Sequence, residues 1–202
     1  METSLQEKII EIVKELKTRK LIDPRRNIIA SEKVPFGFKA SVFSSNTISY
    51  NPKLSGFDDD MIRFALLHEE GHLKRGQYGI PALFFLLCLG FIPLLYCINQ
   101  KVDPSIMIIS TFFMLFIVVS SIRILTEPFH WDEYGSDEFA SKLLRDEYGI
   151  KKPSEIVKNT LNAVPISFDS SSLFHRLCLA FIEYHPSTEQ RVRNVTELVD
   201  EK

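Results

Sequence analysis

Two histidines four residues apart occur in the segment His68-Glu69-Glu70-Gly71-His72. On a helix, this separation puts both imidazoles on one side, about 6 Å apart along the axis, so they can bind one zinc ion. A catalytic zinc site keeps three protein ligands and a position for water, whose pKa the metal lowers to about 7. Glu69 can accept the proton of that water. The alternative interpretation is a pair of surface histidines on a charged helix, because such short motifs also occur by chance.

A third ligand is available in the acidic stretch 132–138. Glu133 and Asp137 are one helical turn apart and so share a face of a helix. Glu133 can complete the zinc site, and Asp137 can accept a hydrogen bond from the distal N–H of a zinc-bound histidine. For Asp132 and Glu138, the competing interpretation is the solvated acidic start of a helix.

The histidine motif requires a helix, and the surrounding sequence predicts one. Aspartates at 58–60 lie where a helix N-terminus favours negative charge, and Gly76 lies where such a helix would end. Helical spacing of apolar residues from Leu5 to Leu16 predicts an amphipathic surface helix at the start of the chain. Between the two helices, short β-branched and aromatic runs predict two or three strands. These runs cover residues 34–38, 40–43 and 47–50.

Helical signals return in the C-terminal part of the chain. Gly149 follows a predicted helix over 132–148, and Ser187 with Gln190 forms the capping box of a last helix. Further helices are predicted over 153–164, which begins with a proline, and over 170–184, which has a polar start. With the short strands, these elements predict a mostly helical α+β fold.

Two apolar stretches, 81–99 and 104–125, are joined by a short polar turn. A bilayer core of about 30 Å requires about 20 apolar residues, so each stretch can span it. Neither stretch has a polar face, which favours a transmembrane hairpin inserted over 81–125. The alternative is a helical hairpin buried in a soluble core.

Basic residues flank the outer ends of these stretches, at Lys74, Arg75 and Arg123, whereas the turn offers Lys101. The positive-inside rule therefore predicts a multi-pass protein of the cell (inner or plasma) membrane, with its soluble parts and both termini in the cytoplasm. The first twenty residues are charged throughout and lack the apolar core of a secretory signal, which agrees with that orientation.

Composition excludes one class of partner. The formal net charge is −2 and the basic residues are scattered, so no nucleic-acid partner is expected.

Cys88, Cys97 and Cys178 lack paired spacing and are interpreted as small core hydrophobes, which agrees with a reducing compartment.

The order of these features resembles the HtpX-like membrane zinc endopeptidases, which are related to the CAAX prenyl proteases. That family combines HExxH, a two-span membrane insertion, a helix carrying ExxxD, and a late His-Pro with a downstream arginine. The matching segments here are HEEGH, the apolar hairpin, EYGSDEFA, and His185-Pro186 followed by Arg191. The resemblance implies a zincin-like metallopeptidase fold of the gluzincin type, in a single domain of residues 1–202. It also places the strand region 34–50 at a sheet edge beside the cleft, where a substrate strand could add.

The resemblance also implies the metal centre. The ligands of one Zn²⁺ ion per chain would be His68, His72 and Glu133, with Glu69 as the general base.

Three further residues receive roles from the resemblance. Asp137 would be the carboxylate that orients a zinc-bound histidine. His185 would lie beside the metal, where it either polarises the oxyanion or occupies the open coordination position. Arg191 would form a structural salt bridge with an acidic residue near the site.

The expected function is that of a membrane-anchored zinc endopeptidase, hydrolysing membrane or misfolded proteins at the cytoplasmic face with metal-activated water. The expected partners are a polypeptide substrate and the lipid bilayer, and a single hairpin leaves room for homo-oligomers. The alternative is a proteolytically inactive metal-binding scaffold or receptor. Glu69 separates the two, because an inactive relative could keep the ligands and lose the base. Two spans are too few for the lipid-sized chamber of prenyl-protein processing.

Overall fold

The computed structural model describes residues 5–32, 34, 37–40, 46–75, 95–96, 99, 103–163 and 186–201, without the side chains of 118, 119 and 121–129. The chain divides into two compact units. The first comprises Met1–Gly76, Asp132–Asp169 and Pro186–Lys202, and the second comprises Gln77–Trp131 and Ser170–His185. The expectation of a single domain over 1–202 stays a prediction.

Helices make up most of the described structure. They are α1 (Leu5–Thr18), α2 (Asp59–Arg75), α3 (Pro104–Tyr148), α4 (Pro153–Ala163) and α5 (Thr188–Val195), and a π-helical turn (Thr196–Asp200) follows directly. The last helix begins with the predicted capping box, in which the Ser187 and Gln190 side chains each bind the other's backbone N–H. The predicted helix 132–148 ends as expected before Gly149, at φ +68°, but is continuous with the second apolar stretch.

Within the described residues of the first unit, three short strands form one sheet. They are β1 (Asn27–Ala30), β2 (Phe38–Ala40) and β3 (Thr47–Tyr50), in the order β1-β3-β2. β3 is parallel to β1 and antiparallel to β2, so β2 forms one edge. The mostly helical α+β architecture with a small sheet is confirmed.

The third predicted run, 47–50, is confirmed as β3, whereas the strand boundaries differ from the first two predicted runs. β1 lies before all three runs, and β2 bridges the end of the first and the start of the second, because pairing with β3 selects the strand residues. Residues 41–43 of the second predicted run lie outside the described part of the chain.

Helix α2 lies in the core of the first unit. Ile62, Leu66 and Leu67 are fully buried in one apolar cluster with buried residues of α1, β3, α3, α4 and α5, and partly buried residues of β1 and β2 pack against it. Helix α1 contributes Ile9 and Leu16 to the same cluster. Apolar contacts on several sides therefore hold the helix that carries the histidine motif.

In the second unit, the described part of α3 is strongly apolar and exposed. Seven large side chains are between 48 and 70% exposed: Ile106, Ile108, Ile109, Phe112, Phe113, Leu115 and Phe116. Within the described residues, no helix meets the length and hydropathy requirements for crossing a membrane. The predicted span 81–99 lies outside the described part except for residues 95–96 and 99, which are helical. The predicted helix 170–184, the three cysteines and Gly76 also lie outside it.

Candidate metal centre

Helix α2 brings the two histidines together. The helix begins after Asp58, whose carboxylate accepts a hydrogen bond from the Met61 N–H at 2.8 Å. Further along the helix, His68 and His72 lie edge to face, with ring centroids 4.6 Å apart and Nε2 atoms 3.0 Å apart. Both side chains are buried. The two histidines are therefore not surface residues of a charged helix.

Glu133 of α3 completes a set of three donors. Its Oε2 lies 3.5 Å from His68 Nε2, and its Oε1 lies 3.3 Å from His72 Nε2. Ligands of a tetrahedral zinc ion, each about 2.1 Å from the metal, are about 3.4 Å from one another. The separations of the three donors are close to that value, and the atoms all lie within 4.8 Å of one another. His68, His72 and Glu133 could therefore hold a zinc ion.

The other nitrogen of each imidazole contacts a carboxylate of α3. His68 Nδ1 lies 2.9 Å from Asp137 Oδ1, and His72 Nδ1 lies 2.7 Å from Asp132 Oδ2. A carboxylate that accepts the Nδ1–H leaves the Nε2 lone pair available to a metal. Asp137 therefore lies where it could orient the His68 ring, and its role stays a prediction. The interpretation of Asp132 as a solvated helix start is wrong, since its carboxylate binds a histidine 60 residues away.

Arg191 of α5 connects these carboxylates. Its Nε and Nη2 contact the two oxygens of Asp137 at 2.7 and 2.6 Å, and its Nη1 lies 3.0 Å from Glu133 Oε2. Burial by itself disfavours the charged form of both side chains. The ion pair outweighs burial, lowering the pKa of Asp137 and raising the pKa of Arg191. The structure thus places the guanidinium in a buried salt bridge beside the metal-binding atoms.

The site has an excess of negative charge that suits a divalent cation. Glu69, Asp132, Glu133 and Asp137 contribute carboxylates, and Arg191 contributes a guanidinium. A doubly charged ion would offset that excess, which is a second reason why these residues fit zinc.

Without a metal ion, the site favours protonated imidazoles. Burial lowers the pKa of His72, but hydrogen bonds to Asp132 and Glu133 outweigh it and raise that pKa to about 10. The pKa of His68 is also raised, because Asp137 and Glu133 outweigh the effect of burial. Zinc binds neutral imidazole, so binding of the ion would release these protons.

The candidate base, Glu69, contacts the sheet. Its Oε2 accepts a hydrogen bond of 2.5 Å from the backbone N–H of Ala40, at the end of the edge strand β2. Burial raises the pKa of Glu69 above its ordinary value, despite the nearby histidines. A carboxylate with a raised pKa is a stronger proton acceptor at neutral pH.

The two remaining residues of the motif have structural contacts that the sequence analysis missed. Glu70 is fully buried and pairs with Arg26, with Nε–Oε2 at 2.5 Å and Nη2–Oε1 at 3.1 Å. A Cβ atom on Gly71 would lie 3.1 Å from the Cα of Ser136, so glycine allows α2 and α3 to approach closely. A buried ion pair between residues 44 apart has no local sequence signal.

His185, which the resemblance places beside the metal, lies outside the described residues, as does His175. The role of His185 therefore stays a prediction.

Comparison with known proteins supports the same chemistry. The model of peptidase family M48 matches residues 2–199 of the chain, almost its whole length. No curated protein and no solved structure matches the chain.

Proposed function

Because the chain belongs to peptidase family M48, whose members are zinc-dependent, we propose that it is a membrane-anchored zinc endopeptidase. Its substrates would be membrane or misfolded proteins at the cytoplasmic face of the cell membrane. The observation that carries the proposal is the convergence of His68 Nε2, His72 Nε2 and the Glu133 carboxylate, with Glu69 next to the first of them on the same helix.

In this proposal, His68, His72 and Glu133 hold the zinc ion. The bound ion supplies a water of lowered pKa and polarises the carbonyl of the peptide bond. Glu69 accepts the proton of the attacking water and returns it to the leaving amine. The Ala40 N–H binds its Oε2 and would hold the side chain in place while Oε1 exchanges the proton. His185 would act beside the metal, on the oxyanion or at the open position.

The edge strand supports the choice of a polypeptide substrate. β2 pairs with β3 on one side, and its backbone at Ala40 lies within hydrogen-bonding distance of the candidate base. An extended peptide that adds to this edge would bind through its own backbone, largely independently of sequence. It would also pass directly beside Glu69, as an endopeptidase requires.

The exposed apolar surface of α3 supports membrane anchoring. Exposure of seven large apolar side chains to water would be unfavourable, by about 25 cal/mol for each Å². Contiguous surfaces of this kind mark contact with a membrane or a partner. We assign the surface to the second span, 104–125, of an inserted hairpin over 81–125.

The test compares the full chain, purified in detergent, with its Glu69→Gln variant on casein. We expect the wild type to cleave casein, a chelator to stop cleavage and added zinc to restore it. Glu69→Gln removes the proton acceptor and should lower kcat by about 10²- to 10⁴-fold while zinc binding persists.

Glu155→Gln is the matched control, because that carboxylate is 65% exposed and pairs with Lys152 on the surface. It should cleave as the wild type does. Equal cleavage by the wild type and Glu69→Gln, or zinc binding without cleavage by either, would contradict the proposal.

A further inference from the structure

The two metal-binding histidines are held by carboxylates of different character. Asp137, which contacts His68, is fully buried and bound at both oxygens by Arg191. Asp132, which contacts His72, has a side chain that is 26% exposed. Loss of Asp137 would leave a buried guanidinium without its main partner, whereas loss of Asp132 would leave a position that water can reach.

The contact of Asp132 is directional. Its Oδ2 lies 2.7 Å from His72 Nδ1, while Nε2 of the same ring faces Glu133 Oε1 at 3.3 Å. A neutral imidazole carries one N–H, so a carboxylate that accepts it at Nδ1 leaves the lone pair at Nε2. Asp132 also precedes Glu133 directly in α3, so that one helical turn supplies both a ligand and the partner of another ligand.

We propose that Asp132 is a positioning residue that fixes the tautomer and the ring orientation of His72 for metal binding. This inference rests on the proposed zinc site. Without the carboxylate, the His72 ring is free to rotate and to carry its proton on Nε2, the atom that must bind the metal. The ion would then bind more weakly although all three ligands are present.

Two variants separate positioning from the effect of charge. Asp132→Asn keeps a carbonyl oxygen that can accept the Nδ1–H but removes the negative charge, and Asp132→Ala removes the acceptor as well. We expect zinc affinity, measured by competition with a chelator, to fall by about 10- to 100-fold in Asp132→Ala and by less in Asp132→Asn. Heteronuclear NMR of the imidazole nitrogens in the metal-free proteins, recorded above the His72 pKa of about 10 so that the ring is neutral, should show the Nδ1–H form of His72 in the wild type and its loss in Asp132→Ala.

Asp146→Asn is the control, because Asp146 lies on the same helix with an exposed side chain that pairs with Arg145. It should leave zinc affinity and the His72 tautomer unchanged. All proteins carry Glu69→Gln, so that binding is measured without proteolysis. If Asp132→Ala does not fold, Asp132→Asn is compared with the wild type alone. A loss of zinc affinity below about 10-fold, with the Nδ1–H form of His72 retained, then supports the inference.

Three outcomes would overturn the inference. Wild-type affinity in both Asp132 variants would show that the contact is dispensable, and equal losses in both would show an effect of charge rather than of position. In either case, casein cleavage by the protein with Glu69 intact would leave the proposed function standing. If the protein with Asp132 intact binds no zinc, the proposed function fails together with the inference.

Discussion

Behind the candidate metal centre, a single guanidinium balances two buried acids. Arg191 binds Asp137 through two hydrogen bonds and contacts Glu133 through a third nitrogen. All three side chains are buried, so each charge depends on its partners for stabilisation. Apolar side chains in both positions would give the protein a similar stability to that of the ion pair. Removal of one partner alone, however, leaves an uncompensated buried charge.

Arg191→Met should therefore lower the free energy of unfolding by about 3 to 5 kcal/mol, since it leaves the Asp137 carboxylate buried without its cation. The measurement is urea denaturation of the metal-free protein in detergent. The matched control is Arg193→Met on the same helix, where the side chain is 73% exposed and lies 4.0 Å from Glu197. The control should change stability by less than about 0.5 kcal/mol, and a similar loss in both variants would show that the buried pair has no special role.

At the scale of elements, two helices and one strand assemble the candidate site. Helix α2 carries two candidate ligands and the candidate base. Helix α3 carries the third candidate ligand and both carboxylates that contact the histidines, and β2 contacts the candidate base. The separation of α2 and α3 therefore determines whether the ligands meet. Gly71 lies against Ser136 at the point where these helices approach each other.

Gly71→Val should force the two helices apart, because even a Cβ atom at this position would lie 3.1 Å from the Cα of Ser136. Overpacking of this kind costs about 1 to 3 kcal/mol of stability, and zinc affinity should fall as well because Glu133 moves away from the histidines. Thermal unfolding and chelator competition measure the two effects.

The control for this substitution is Glu11→Val, which places the same β-branched residue at an exposed position of helix α1. It should change only helix propensity, by less than about 1 kcal/mol, and leave zinc affinity intact. Unchanged zinc affinity in Gly71→Val would mean that the close approach of the helices does not set the ligand geometry.

In the whole molecule, the two units differ in how far their large apolar side chains are exposed. The first unit buries most of its large apolar side chains in one cluster around α2, with Ile10 and Ile29 as exposed exceptions. In the second unit, the described part of α3 exposes them instead. This contrast is the observation on which the proposed membrane contact of the second unit rests.

The double variant Phe112→Arg and Phe116→Arg should weaken membrane association, because each arginine at the centre of a span costs about 2.5 to 3.5 kcal/mol. The measurement is the fraction of expressed protein that stays with membranes after alkaline extraction. Ile10→Arg is the control, since Ile10 is a similarly exposed apolar residue, but on α1 of the first unit. Wild-type protein in the soluble fraction, or a double variant that remains with membranes as the wild type does, would contradict the proposed anchor.

Local sequence patterns were sufficient for the features that depend on helix geometry alone. The four-residue spacing of His68 and His72, and of Glu133 and Asp137, puts each pair on one face of any helix. The capping box at Ser187 and the end of α3 before Gly149 are likewise local, since their partners lie within a few residues. The order of the motifs also predicts the family, and the match of the family model to residues 2–199 confirms that prediction.

Only the tertiary structure decided how these local features meet. It pairs Asp132 with His72 and Glu70 with Arg26, brings Ala40 to Glu69, and brings Ser136 to Gly71. These partners are between 29 and 65 residues apart in the chain. Periodicity specifies which residues share a face of an element, but not which face of another element they meet. Packing of the common core around α2 makes that choice, because it fixes how the elements lie against one another.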